Sequence, residues 1–271
     1  MTGIAVRQSA HRREAARELV AGLRRGRGCV VPIALLALWQ LAAMRGWVAA
    51  LVLPSPAQVG QALASVAGSG ALAAGMAVSL RRVAVGYVLG VAIGLPLGIL
   101  MTLSPVARKL VAPSFYFIVR VPLLAWVPFL MVLFGIGETL KLVIIANSVL
   151  APVTMNTERA MKLLPPAWTE LGRALRLNRW QMLRRILFPA TVLPVSVGLR
   201  LGLVQGWAAL VGVELLASTD GIGYQLTMSR QLFQLDTMMA LMLVIGGVGL
   251  LLDRGLECAE RYLARRYGGA L

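Results

Sequence analysis

Long apolar stretches broken by short polar and basic ones set the rhythm of this 271-residue chain. A helix must run for about 20 apolar residues to cross a hydrocarbon core about 30 Å thick. On that scale six spans are expected: about Cys29 to Arg45, Arg82 to Thr102, Tyr116 to Ile136, Leu140 to Met155, Ala190 to Ala217, and Thr237 to Leu252. The segment from Gly46 to Val78 mixes apolar residues with Pro54, Ser55, Pro56 and several glycines. It reads as an outer connection with a short helix, Ser55 capping and Pro56 at the first helical position. Ser218 to Asp236 is the longest polar stretch after residue 189 and reads as a second outer connection, in part re-entrant. The expected fold class is therefore all-α and polytopic, divided into a basic tail over 1–28, a membrane domain over 29–253 and a basic amphipathic tail over 254–271.

Inside the spans, small residues recur at steps of four. Gly86, Gly90, Gly94 and Gly98 line one side of the second span, and Gly198, Gly202 and Gly206 one side of the fifth. Lipid tails give helices no hydrophobic reason to associate, so a flat strip that admits a neighbouring backbone is how they gain contact. Pro122, Pro128 and Pro152 fall within the third and fourth spans and predict kinks, in helices that either line a path or pack around one.

One long segment is both basic and amphipathic, Glu158 to Pro189. Pro165 and Pro166 stop any helix arriving from the left. Trp168, Leu171 and Leu175 then share a face of a short helix. Asn178 and Gln181 have the spacing of a capping box for a second, whose stripe is Trp180, Leu183 and Leu187 and which Pro189 is expected to close. Two short amphipathic helices joined by a turn suit either a docking surface or a basic loop resting on anionic headgroups.

These residues carry a resemblance. The segment resembles the cytoplasmic loop of permease subunits of binding-protein-dependent ABC importers, E-A-A-x-x-x-G, nine residues, then I-x-L-P. Glu170, Ile186 and Pro189 match in register, while Leu171 and Gly172 replace the alanines, Arg176 the glycine and Phe188 the leucine. LVLPSPAQV from Leu51, SLRRVAVGYVLGVAIGLPLGIL from Ser79, WVPFLMVLFGIGE from Trp126, GIGYQL and LLDRGLE are similar to the sulfonate, taurine and nitrate branch, so the likeness covers roughly residues 30–266. It implies a homodimer carrying a small anionic solute, with ABC ATPase subunits that bind ATP and Mg and a periplasmic or lipid-anchored solute-binding protein. It also implies ATPase coupling through the matched Glu170, Ile186 and Pro189; on the docking reading, Leu175 and Leu183 are candidate apolar plugs into the ATPase and Asn178 belongs to the turn. Arg176 leaves two outcomes for the turn: strain at that residue, or a shift onto Asn178.

Composition agrees with a membrane protein: 58% hydrophobic and 14% charged residues, where soluble domains have about a quarter charged. The formal net charge of +16 reads as orientation and contact with membrane lipid rather than as a nucleic-acid partner. With both ends in the cytoplasm, the tails, the Arg108 region and the Glu158–Pro189 segment share one face. Arg45, Arg81, Arg82, Lys141 and Arg230 stand on the other, with Arg81 and Arg82 an awkward pair at the outer end of span two. Cys29 and Cys258 suit neither a disulfide nor a metal, and the single His11 lies in the basic tail. No G-x-x-x-x-G-K-[ST] loop occurs, so no ATPase site of its own and no cofactor is expected here.

Two charges fall inside the fifth span, Arg200 about 15 Å of helix rise beyond Ala190 and Glu214 about 21 Å further. Arg200 either offers positive potential to an anion or snorkels inward, and Glu214 is either an outer gate or a packing contact. With Trp126 and Trp207, which read as substrate cage or as packing aromatics, they are the candidates for a translocation path. The alternative class is an ion-coupled secondary transporter, which calls for paired mid-membrane acids and inverted repeats.

Overall fold

The computed structural model describes residues 30, 31, 33–47 and 53–267, and the regular structure among them is helical throughout. The 1–28 tail and Cys29 lie outside the described residues. A short apolar helix, α1 (Ile33–Met44), lies within the first expected span but is not among the helices long enough to cross a membrane, so the expected count of six is not reached among the described residues. It is followed by α2 (Pro56–Gly68), α3 (Ala71–Leu103), α4 (Pro105–Arg120), α5 (Leu123–Phe134) and α6 (Glu138–Lys162). Then come α7 (Pro166–Ala174), α8 (Arg179–Met182), a π turn over Leu183–Leu187, α9 (Phe188–Ala217), α10 (Ile222–Gln231) and α11 (Leu235–Tyr267). Among the described residues, four helices are long and apolar enough to cross a membrane, or five if the bent pair α4–α5 is one span.

The middle of the fold is α6, flanked by α3 and α9. Ile145, Val149, Val153 and Thr157 form a ridge at steps of four, and the two glycine strips are the grooves that receive it. A Cβ on Gly86 would lie 2.6 Å from Ile145, one on Gly90 2.6 Å from Val149, and one on Gly98 2.8 Å from the Thr154 carbonyl. Gly94 lies against Leu150 and Thr154, whose hydroxyl donates to the Gly94 carbonyl at 3.0 Å. On the opposite side Gly198 meets Asn156, Gly202 meets Val153 and Val149, and Gly206 meets Val149. Ile145, Val149 and Val153 are accordingly fully buried. Trp207 closes this core from α9, its indole donating to the Ile245 carbonyl of α11 at 3.1 Å.

Several expectations need correction. The third span is not one helix, because α4 and α5 meet at 102°. Val121, held extended before Pro122 at ψ 125°, is the break, since a residue preceding proline is pushed out of helical conformation. The second span starts near Ala71 rather than Arg82, so Arg82 is no end marker: it lies three turns inside α3 and is buried. Pro189 does not close a helix either. One helix runs Trp180–Ala217, with the Phe188 N–H bonding to the Leu183 carbonyl five residues back; the wider turn accommodates the proline ring and its missing donor. In the connection before α3 the expected helix start is observed: Ser55 caps α2 reciprocally with Gln58, and Pro56 opens it.

Candidate functional site: a basic hairpin, a polar cleft and an ion cluster

At the end of α6 opposite Glu138, α6 stops at Lys162 and α7 begins at Pro166, where the missing proline N–H costs nothing. The helix ends with Arg176 at φ +50°, and the Leu177 N–H reaches back to the Gly172 carbonyl at 3.0 Å, the Schellman pattern. Of the two outcomes left open for the turn, strain at Arg176 is the one observed. The capping box follows, with Gln181 N–H donating to Asn178 Oδ1 at 2.8 Å and Asn178 N–H to Gln181 Oε1 at 3.1 Å. Buried Gly172 lies against the Met182 side chain, which folds α7 onto the π turn.

Glu170 and Leu171 are exposed on α7, as are Leu175 just past its end and Trp180 on α8. Ile186 and Leu187 are buried, and Leu183 lines an apolar cavity of about 250 Å³ with Phe188 and Leu263. The expected stripe of Trp180, Leu183 and Leu187 is therefore split. The π turn shifts the register, so Trp180 faces outward and the two leucines inward.

A second feature is a half-open cleft of about 480 Å³ beside the α4–α5 break. Asn147, Asn156 and Arg159 reach it from α6 and Gln205 from α9, with Pro122 and Met155 among its apolar walls. None of the four expected path residues lines it. Trp126 lies on α5, its indole N–H buried without a partner among the described residues and its ring edge-on to Phe129 at 6.0 Å. Arg200 points at α11, paired with Asp253 at 3.1 Å and Glu260 at 3.2 Å. Trp207 belongs to the core, and Glu214 to the cluster described next. The cleft's polar signal in the sequence is three amides in apolar spans, Asn147, Asn156 and Gln205, which stand out less than the charges of Arg200 and Glu214.

At the other end of α6, Arg82 is 1% exposed and uses its whole guanidinium. Nε donates to Glu138 at 2.9 Å; one terminal nitrogen donates to Glu214 at 2.8 Å and the Asp220 carbonyl at 3.2 Å; the other bonds Glu138 and, at 2.5 Å, the Asp220 carboxylate. Lys141 adds contacts of 3.1 Å to Glu138 and 3.5 Å to Asp220. Glu214 also accepts from Ser79 at 2.9 Å and the Gly223 N–H at 2.9 Å. The Arg82 guanidinium holds the Asp220 carboxyl below its ordinary value, burial pulling the other way. This cluster ties α3, α6, α9 and α10 together, and its partners are too far apart in sequence to be paired by inspection. Among the described residues no group of His, Cys, Asp and Glu is arranged to hold a metal.

Residues 90–269, which include the hairpin, the cleft's α6 and α9 walls and most of the cluster, match the family described as binding-protein-dependent transport system inner membrane component. The chain belongs to that family. It is 33% identical to the taurine transport system permease protein TauC of Escherichia coli over 86% of this chain and 87% of that one. It is 31% identical to the putative aliphatic sulfonates transport permease protein SsuC of Bacillus subtilis, covering 88% and 87%. The bicarbonate transport system permease protein CmpB of Synechococcus elongatus is 29% identical over 69% and 68%. Among solved structures, a chain of the MetNI methionine ABC transporter in an inward facing conformation shares the fold with a TM-score of 0.64 at 19% identity, covering 71% of this chain and 96% of that one. The expectation of an ABC importer permease of the sulfonate and taurine branch is thereby met, and the chain is an inner membrane component.

Proposed function

We propose that this permease forms the path for a small anion of the taurine, sulfonate or bicarbonate kind and is driven by a separate ATPase docked on α7 and α8. The observation that carries the coupling is the hairpin itself. Exposed Glu170, Leu171, Leu175 and Trp180 project from two short helices and their turn, one helix leading out of α6 and the other running without interruption into α9. A partner that moves the hairpin therefore moves two of the helices packed by the glycine seams. Asn178 fixes the turn and Ile186 and Pro189 the joint, Glu170 and Leu175 meet the ATPase, and Leu183 serves the joint rather than the interface. ATP and Mg belong to the partner.

The path is the cleft of Asn147, Asn156 and Gln205, completed by a second copy of the chain. Half-open on one subunit, it stands beside α5, whose Phe129, Val132 and Leu133 are exposed. The substrate class rests on what the relatives carry, delivered by a periplasmic or lipid-anchored binding protein. On the positive-inside pattern the hairpin and both termini face the cytoplasm, and the basic residues from 254 onward continue α11 rather than opening a separate unit.

The test is uptake of radiolabelled taurine and ethanesulfonate by cells expressing the chain with its neighbouring ATPase and binding protein. Glu170→Lys is expected to abolish uptake while leaving the amount in the membrane unchanged. Normal uptake by that variant would remove Glu170 from the coupling.

A further inference from the structure

A second cleft lies where α3 ends and α4 begins. It measures about 540 Å³ and is lined by Met101 and Thr102 of α3 and by Pro105, Arg108, Lys109, Ala112, Pro113 and Tyr116 of α4. Along its border Val106, Leu110, Pro113 and Phe117 recur at helical spacing and are exposed, Leu110 by 72% and Phe117 by 71%. The same short helix thus presents two cations in a recess and an exposed apolar stripe beside it. That is the chemistry of one kind of molecule, an anion with a long hydrocarbon tail.

We infer that this cleft holds the headgroup of an anionic phospholipid, its phosphate on Arg108 and Lys109 and its acyl chain along Leu110 and Phe117. The inference rests on the inward placement of the hairpin, since anionic lipid and the positive-inside rule put α4's first turns in the cytoplasmic leaflet. Arg108 is available for this role. Its side chain is 56% exposed and stands 3.8 Å from Glu158, a distant contact for a carboxylate already bonded by Tyr116 and Lys162. Lys162 is the last residue of α6 before the hairpin. A lipid phosphate drawing Arg108 away would leave Glu158 to Lys162 and Tyr116 alone, so headgroup occupancy reaches the end of the lever that the ATPase moves.

The full-length chain, purified in detergent, is to be incubated with phosphatidylglycerol or phosphatidylethanolamine and retained lipid read by native mass spectrometry. Wild type is expected to retain phosphatidylglycerol selectively. The Arg108→Gln/Lys109→Gln pair should lose that preference by on the order of thirtyfold, two basic groups' worth. The swap Arg108→Lys/Lys109→Arg should keep it, which separates charge from folding. Arg254→Gln/Arg265→Gln removes the same charge from α11 and should leave retention unchanged. Equal loss in that pair would show bulk electrostatics only and overturn the site. Displacement by inorganic phosphate at millimolar concentration would overturn the lipid assignment in favour of a soluble anion. None of these readouts requires solute transport, so failed uptake with selective lipid retention would count against the importer reading and not against this one.

Discussion

Arg176 occupies a left-handed conformation at φ +50°, at the position where the family's motif has glycine. A side chain with a Cβ pays about 1–2 kcal/mol there. Arg176→Gly is therefore expected to raise the melting temperature of the purified protein, by roughly the equivalent of 1 kcal/mol; an unchanged or lower value would mean that the arginine makes compensating contacts. Asp220 gives a pH signature. Because Arg82 depresses its folded-state value, the stabilisation is fully present above the ordinary aspartate value and is lost as pH falls through the depressed one. Asp220→Asn should lower stability at neutral pH and flatten the acid limb of the melting-temperature profile below about pH 4. An acid limb identical to wild type would assign that limb to other carboxylates. The capping residues and the glycine strips were legible because their partners lie one turn away or recur at a fixed step. The Arg82 cluster was not, since its carboxylates come from residues 56 to 138 positions away.

Among the helices, α6 is gripped on both sides by surfaces with no room for a side chain. Gly90→Leu places atoms where a Cβ already falls 2.6 Å from Val149. It should destabilise by about 1–3 kcal/mol or prevent accumulation altogether. Gly246→Ala, where a Cβ meets nothing within 4 Å, should be tolerated; equal damage at the two sites would deny the seam its special role. Arg200→Gln removes two contacts between α9 and α11 whose side chains are each a fifth to a third exposed, so its cost should be modest, about 1 kcal/mol or less. A loss of uptake with melting unchanged would instead return Arg200 to the path. Helix ends were the least legible feature. A run of apolar residues does not show whether a proline breaks the helix, as Pro122 does after extended Val121, or is absorbed, as Pro189 is by the π turn.

At the scale of the whole molecule, a cluster at one end of α6 and a hairpin at the other are joined by a tightly packed helix, with a polar cleft between them. Glu214, a buried acid of the kind a secondary transporter would use to carry protons, is paired with Arg82 and held by Ser79 and Gly223, which suits a fixed strut. The family and the all-helical membrane architecture followed from pattern and motif alone. The cleft did not, because it exists only where the α4–α5 break meets α6 and α9. The most direct test of the account is solute uptake into proteoliposomes holding this chain, its ATPase and its binding protein. Uptake should require internal or external ATP according to ATPase orientation, be absent without the ATPase, and vanish with Glu170→Lys while the complex stays assembled. Uptake driven by an ion gradient with no ATPase present would contradict it.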